Sequence, residues 1–522
     1  MNISQMLTRN AWMYPEDTAL VELTPSQKLR TEISWKEFDQ RANKVANTLI
    51  ERGIKKGDKV IHLMRNSITW LEVYFGIIRT GAWAVPLNFR FNSRDIKYCA
   101  DIAGAKAMFL EDEFVERVEA IRHELTTLKD YIFAGQNPPQ GMTTLEAMID
   151  GASSQLPEIE LNDDDACGLY FTSGTTGDPK PILLTHHNME WAALTEQNHH
   201  YQERNDNFIL IPPLYHAGAK MHWFGSLIVG GPATLLREVT PRYILEAVAK
   251  EKGTIVWLLV PWASDILGAL DRGELKKEDH DLSHWRLMHI GAQPVPPSLV
   301  KRWKEYFPDM QYDTNYGLTE ATGPGCVHLG IENEHKVGAI GKAGYGWETR
   351  IVAKNGNDVA QGKVGELLVK GEGVMKEYYQ NPIRTAETIR DGWLYTGDMV
   401  KEDSDGFIYI VDRKKDVVIT GGENIYPVEI EAILQSHPKI HDAAVIGLPD
   451  ERLGEIAAAI IEVEPGQTLT EDEVMAFSEE NLPRYKRPRH IIFDSVPRNP
   501  TGKIEKPKLR KKYAGLKEDT KV

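Results

Sequence analysis

Tyr170-Phe171-Thr172-Ser173-Gly174-Thr175-Thr176-Gly177-Asp178-Pro179-Lys180 places four hydroxyl side chains and two glycines ahead of a lysine, directly after an apolar run, Cys167 to Phe171, that reads as a strand. Exposed amides and hydroxyls beside a cation are what a polyphosphate needs. The stretch is not a Walker A loop: Gly174 to Lys180 lacks the four-residue gap and the Lys-Ser/Thr ending that place a helix N-terminus and a Mg²⁺ ligand. A P-loop phosphotransferase is thereby disfavoured.

Upstream the chain alternates helix and strand. Ser34 and Glu37 have capping-box spacing, Phe38, Ala42, Val45 and Leu49 share a helical face, and Val60 to Leu63 reads as a strand. Ile68 to Thr80 reads as the next helix, Gly81 closes it, and Ala84 to Leu87 returns as a short strand. Downstream, Phe208 to Ile211, Ile255 to Val260 and Leu287 to Ile290 are strand-like and followed by Pro or Gly, the rhythm of an α/β fold with ligands at its strand ends. After about Val364 the pattern changes to period two, in Gly365 to Gly371 and Gly406 to Val411, which predicts antiparallel sheet. Beyond Arg413 a helix from Pro427, strands at Ala443 to Ile446 and Ala457 to Val463, and a helix at Glu471 to Asn481 form a small α+β unit. The expected architecture is a large N-terminal α/β domain (1–413) with layered sheets and a β-rich subdomain, plus a small mobile α+β domain (414–522). The tail from Lys506 reads as a basic, solvated end.

The chain has 522 residues and a net charge of −15, which argues against a polyanion-binding or polybasic membrane-surface protein. Its length calls for at least two domains. Cys99, Cys167 and Cys326 are far apart and form no CxxC pair, so a reducing, cytoplasmic setting is expected. No secretory signal is visible at the start, and the longest apolar run, Ile255 to Ala263, is interrupted by Pro261 and far short of the ~20 residues that span a bilayer. Neither membrane insertion nor a nucleic-acid partner is expected, and the sequence is compatible with a monomer or a homodimer.

Four more segments stand in order after the loop: Asn315-Tyr316-Gly317-Leu318-Thr319-Glu320, Tyr395-Thr396-Gly397-Asp398, Asp412-Arg413-Lys414-Lys415-Asp416 and Pro500-Thr501-Gly502-Lys503. Together with the loop they resemble the motifs of the ANL adenylate-forming superfamily, which includes acyl-CoA synthetases, adenylation domains of peptide synthetases and luciferases. The resemblance runs from about Ile33 to Lys508. It implies that Thr172, Ser173, Gly174, Thr175, Thr176, Gly177 and Lys180 hold the phosphates of ATP. Asn315, Tyr316 and Gly317 would lie along adenine, with Thr319 and Glu320 serving the phosphates and Mg²⁺. Asp398 would accept both ribose hydroxyls, with Arg413 also reaching the ribose. Lys503 would be the lysine of the adenylation step and Lys415 the hinge. Gly421 and Gly422, in Gly421-Gly422-Glu423-Asn424, would approach the pantetheine of CoA. His216, in Pro213-Leu214-Tyr215-His216-Ala217-Gly218, and Gly291, in Gly291-Ala292-Gln293-Pro294, would border the acid. Trp223, Phe224 and Trp262 read as core.

The implied reaction is two-step: a carboxylic acid and ATP give an acyl-adenylate and pyrophosphate, and CoA then displaces AMP. CoA is favoured as acceptor because no carrier module follows the small domain, and because Gly421 to Ile430 look most like medium-chain, aromatic and carnitine-type acyl-CoA ligases. Loading of a carrier protein and a nonenzymatic AMP-binding sensor are the alternatives. A sensor would be supported by loss of Lys503 or Glu320, and both are present. Two departures stand out: Pro181 follows the loop lysine where relatives usually have glycine, and Gln293-Pro294 stand where small residues are common. Small side chains at Ala217-Gly218-Ala219 are expected to leave room beside the carboxylate for a branched, cyclic or medium-length acyl chain, and an aromatic acid also stays open.

Overall fold

Ser34 opens the first long helix as its spacing predicts: its hydroxyl accepts the Glu37 N–H, the Glu37 carboxylate accepts the Ser34 N–H, and the helix runs Trp35–Glu51. The computed structural model describes residues 1–172, 179–421, 423–499 and 503–514. The helix Ile68–Arg79 follows, and Gly81 turns the chain at φ +74°, the left-handed region glycine occupies without strain. The apolar run from Ile255 divides at Leu259: a fully buried strand, Ile255–Leu259, passes into the helix Val260–Asp271, with Pro261 in its first turn, where a missing N–H costs nothing.

Two large sheets form the N-terminal domain. One is ordered Glu377–Tyr378, Lys180–Thr185, Ala166–Thr172, Trp83–Pro86, Lys59–Leu63, Ala107–Leu110, Asp130–Phe133, Thr143–Thr144. The other is ordered Gln311–Asp313, Leu287–Gly291, Ile255–Leu259, Phe208–Leu210, Ala233–Leu236, Thr18–Thr24, Leu29–Ser34. Residues of both sheets share one core with Trp35, Phe38, Trp70, Phe75, Trp223 and Phe224, so helices are clamped between the sheets. Trp223 and Phe224 are core as expected, and Trp262 packs against that core from a half-buried position.

The period-two segments form an antiparallel sheet of Trp347–Val352, Gly365–Gly371, Trp393–Glu402 and Ile389–Arg390, with Ile408–Arg413 paired on Trp393–Glu402. Arg413 ends that sheet, and Val418–Thr420 begins another, which holds Gly454–Val463, Ile440–Asp450 and the parallel strand His490–Phe493. This second sheet, with the helices Pro427–Leu434 and Glu471–Asn481, is the small α+β C-terminal domain.

The tail corrects an expectation. Lys506–Tyr513 is a helix rather than a solvated end, with Lys506 and Leu509 buried three residues apart on one face. Leu509 joins the apolar cluster of the small domain, and the Lys506 ammonium lies 2.8 Å from the Glu431 carboxylate, so its burial is paired.

Candidate active site

The loop between Thr172 and Lys180 joins two antiparallel strands, and its ends meet: Thr172 stands opposite Lys180 in the register. Ser173, Gly174, Thr175, Thr176 and Gly177 lie outside the described residues. Pro181, which has no N–H to donate, still joins the sheet through its carbonyl, which accepts the Tyr379 N–H at 2.9 Å.

Lys180 looks across Tyr378, whose ring centroid is 5.9 Å from Nζ. The Tyr378 hydroxyl donates to Glu320 Oε1 at 2.7 Å. Tyr378 thus gathers the loop lysine and the acidic end of the second motif at one place, a role no motif announced. Burial, followed by Arg384, lowers the Lys180 pKa below the ordinary lysine value, and Glu320 opposes the shift.

The second motif is a tight turn out of a strand: Asn315–Leu318 pairs with Gly323–His328, and Thr319 to Ala321 form one helical turn between them. Gly317 is required there, since a Cβ would lie 1.9 Å from the Gly323 carbonyl oxygen. The Tyr316 hydroxyl donates to Asp398 Oδ2, and Arg413 Nε lies 3.0 Å from Asp398 Oδ1. Thr396 supports this aspartate, its hydroxyl bonding the Leu367 carbonyl and accepting the Asp398 N–H. Burial raises the Asp398 pKa, opposed by Arg413 and Tyr316, while Asp398 in turn raises that of Arg413. Three expected nucleotide contacts, Tyr316, Asp398 and Arg413, therefore form one hydrogen-bonded unit.

Asn315 points elsewhere. Its amide nitrogen donates to Glu196 Oε1 at 3.0 Å and lies 3.2 Å from His222 Nε2, inside a buried group of histidines.

Lys503 comes to the same cleft from the C-terminal domain. Desolvation, then Arg413, lowers the pKa of its ammonium, while Asp398 and Glu320 oppose the shift, and the residue as a whole is exposed to solvent. His216, which starts the helix Ala217–Val229, is also held neutral by its surroundings: burial and then Lys503 and Lys220 push it down to about 3. Pro500, Thr501 and Gly502 are outside the described residues. Gln293, one of the two departures, accepts from Arg498 Nη1 at 2.9 Å, so it serves the seam between the domains.

Gly291 ends the strand Leu287–Gly291, and a Cβ there would lie 3.8 Å from Trp257 Nε1, 3.8 Å from His289 Nε2 and 3.9 Å from the Asn315 carbonyl. Ala217-Gly218-Ala219 does not supply the room expected of it. Ala217 and Ala219 are buried, and a Cβ on Gly218 would already stand 3.0 Å from Pro324 Cδ, so small residues here admit the neighbouring strand.

Lys415 lies between two sheets, in a turn whose backbone bonds run from Lys414 N–H to Gly397 and from Asp416 and Val417 N–H to Arg413. Gly421, at φ +56°, turns the chain against Leu453 within the C-terminal domain, and Gly422 is outside the described residues.

The profile of the family described as AMP-binding enzyme matches residues 7–379, and that of the AMP-binding enzyme C-terminal domain matches 429–503. The chain belongs to the AMP-binding enzymes of the ANL superfamily. This AMP-binding enzyme is 33% identical to a feruloyl-CoA synthase of Amycolatopsis sp over 510 residues, 97% of this chain and 98% of the other. Its structure resembles that of the anthranilate CoA ligase AuaEII in complex with anthranoyl-AMP, with a TM-score of 0.89 and 27% identity over 98% of this chain and 97% of that one. MatB of Rhodopseudomonas palustris with ATP bound gives 0.88 and 28% identity over 99% of both chains, whereas apo MatB gives 0.76 and 28% over 98% of this chain and 99% of that one. The AMP-binding enzyme is an acid–thiol ligase: it activates a carboxylic acid with ATP, releasing pyrophosphate, and transfers the acyl group to CoA. Among its described residues no helix is long and apolar enough to cross a membrane.

Proposed function

We propose that the ligase acts on a compact acid bearing a hydrogen-bonding group on its acyl part, and that the cleft between Lys180, Glu320, Asp398 and Lys503 is its adenylation site. Trp257 Nε1 and His289 Nε2 carry the first statement. Both are buried, neither has a hydrogen-bond partner among the described residues, and both border the space above Gly291. A buried donor left unpaired costs about 1–3 kcal/mol, which a substituent of the acid would recover on binding. Two of the relatives named above carry ring-bearing acyl groups in their names, feruloyl and anthranilate, which fits a ring-sized acyl group.

In the proposed first step a carboxylate oxygen attacks the α-phosphorus of ATP and pyrophosphate leaves. Positioning and charge neutralisation carry such a reaction. Lys503 offsets the repulsion between carboxylate and α-phosphate, and Lys180 with the loop hydroxyls holds the departing pyrophosphate. Asp398 orients the ribose, while Arg413 fixes Asp398 and reaches the same sugar. The Glu320 carboxylate, whose Oε1 accepts from Tyr378, offers the hard oxygen donor that Mg²⁺ takes, and the ion, bound there with ATP, would neutralise phosphate charge. In the second step the CoA sulfur, having lost its proton, attacks the acyl carbonyl and AMP leaves. The proposed domains are 1–413 and 414–522, with Lys415 as the hinge that withdraws Lys503 and brings Gly421-Gly422 to the pantetheine. The placement of Lys503 near Asp398 and Glu320, and the better match to MatB with ATP than without, favour the adenylate-forming arrangement.

Matched pairs of acids that differ by one hydroxyl, amino or keto group test the substrate reading through AMP formation. The substituted member should have the higher kcat/KM, by about tenfold for a hydrogen bond of ~1.4 kcal/mol. Unsubstituted straight-chain fatty acids as the best substrates would refute it.

A further inference from the structure

Behind Asn315 seven titratable side chains converge: Glu196 and His200 on the helix His186–His200, His199 beside them, His222 on Ala217–Val229, His289 on Leu287–Gly291, Asp313 at the end of Gln311–Asp313 and His328 at the end of Gly323–His328. The side chains of Glu196, His200, His222, His289, Asp313 and His328 are fully buried. His289 Nε2 borders the acid in the proposed reading, and the proposed adenylation and thioester steps use none of the other six side chains.

One point in it is organised for a cation. Asp313 Oδ1 is occupied by the Gly330 N–H at 2.8 Å, which leaves Oδ2 facing His200 Nε2 and His328 Nδ1, each at 3.1 Å. These three residues bring their ligand atoms to within 4.8 Å of one another. His289 Nδ1, 3.0 Å from His200 Nε2 and 3.7 Å from Asp313 Oδ2, is the nearest further donor. Four-coordinate zinc with bonds of about 2.0–2.1 Å separates its ligands by about 3.3 Å, close to the Asp313 spacings.

The far nitrogens of the same rings complete the case. His200 Nδ1 lies 3.3 Å from Glu196 Oε2, and His328 Nε2 lies 3.6 Å from Glu196 Oε1. Glu196 Oε2, His200 Nδ1 and His328 Nε2 are buried and lack a properly formed hydrogen bond among the described residues. A carboxylate behind two histidines biases ligand tautomers: Glu196, 3.3 Å from His200 Nδ1 and 3.6 Å from His328 Nε2, attracts ring protons to its side and so favours lone pairs on His200 Nε2 and His328 Nδ1 toward Asp313 Oδ2. Asp313 Oδ2 would then face two ring lone pairs at 3.1 Å each, a repulsion that a cation among the three atoms removes. His200 Nε2 is also within bonding distance of both Asp313 and His289, and one proton cannot serve both.

The charge points the same way. Two fully buried carboxylates, Glu196 and Asp313, face these histidine rings. Buried charge needs compensation. A protonated His328 between the two carboxylates supplies one positive charge, and a divalent ion supplies two.

The geometry points to a structural site for a divalent transition-metal ion, zinc by its donor set, held by His200 Nε2, His328 Nδ1 and Asp313 Oδ2, with Glu196 orienting both histidines. The ion ties together the strands that flank Asn315 to Glu320, so it holds the nucleotide motif without touching the reacting atoms. This inference stands independently of the identity of the acid.

Untagged full-length protein, dialysed against Co²⁺ and then against metal-free buffer, provides the test. The expected result is one tightly held ion per chain by elemental analysis, with the intense visible absorption of four-coordinate Co²⁺, displaced by Zn²⁺. His328→Gln and Asp313→Asn should each abolish the absorption while circular dichroism shows a folded chain. Folded wild-type protein that retains no Co²⁺ or Zn²⁺ would overturn the site in favour of a protonated His328. So would a spectrum unchanged in both variants. If both variants fail to fold, the wild-type stoichiometry and spectrum alone decide.

Discussion

Lys503→Ala should slow acyl-adenylate formation by about 10²–10³-fold, which corresponds to a transition-state interaction of ~3–4 kcal/mol. The ammonium is a charge that the C-terminal domain brings into the cleft at that step. Desolvation lowers its pKa, although the residue as a whole is exposed to solvent. Its neighbours Asp398 and Glu320 keep it charged and aimed, while Arg413 opposes them. Attack of CoA on synthetic acyl-adenylate should be nearly normal, because the proposed hinge motion removes Lys503 before CoA enters. Both half-reactions must be followed on one folded preparation. Parallel losses in the two would remove Lys503 from the catalytic groups.

Lys415→Pro should divide the two steps in the opposite sense. Proline fixes φ near −65°, so a residue that has to change its backbone angles between steps is locked in one state. The turn tolerates the substitution, since its bonds run from the N–H groups of Lys414, Asp416 and Val417 and, among the described residues, none from that of Lys415. The arrangement seen here, with Lys503 facing Asp398 and Glu320, is the one the variant should keep. Adenylate formation is expected within a few fold of normal, and thioester formation lower by ~10²-fold or more. Rapid single-turnover measurements of each step separate this from general damage, which lowers both.

Local rules carried much of the fold. The Ser34 and Glu37 box, the Gly81 turn and the change to period two after Val364 each depend on neighbours in the chain, so their elements were legible. The Lys506 helix was not, because a run of lysines reads as solvated until Glu431, far away in sequence, supplies a partner. The site divides in the same way. Asp398, Arg413 and Tyr316 were found by their motifs, but that they form one hydrogen-bonded unit comes from pairing between strands. Tyr378, Arg384 and the contact of Arg498 with Gln293 carry no motif at all, and only folding sets them beside Glu320, Lys180 and the domain seam. For the buried histidines there was a faint sign, Glu196 four residues before His200, but Asp313 and His328 join them only through the sheet. The reading of Ala217 to Ala219 as substrate space failed because side-chain size alone does not say whether a ligand or a strand fills the gap.

An acid labelled with oxygen-18 in both carboxylate positions tests the chemistry most directly. If a carboxylate oxygen attacks the α-phosphorus and CoA later displaces AMP at the acyl carbon, one labelled oxygen must leave on the AMP phosphate and the other must stay in the thioester carbonyl. Mass spectrometry of both products should show that division in every turnover. AMP free of label, or labelled phosphate or pyrophosphate in its place, would contradict an acyl-adenylate intermediate.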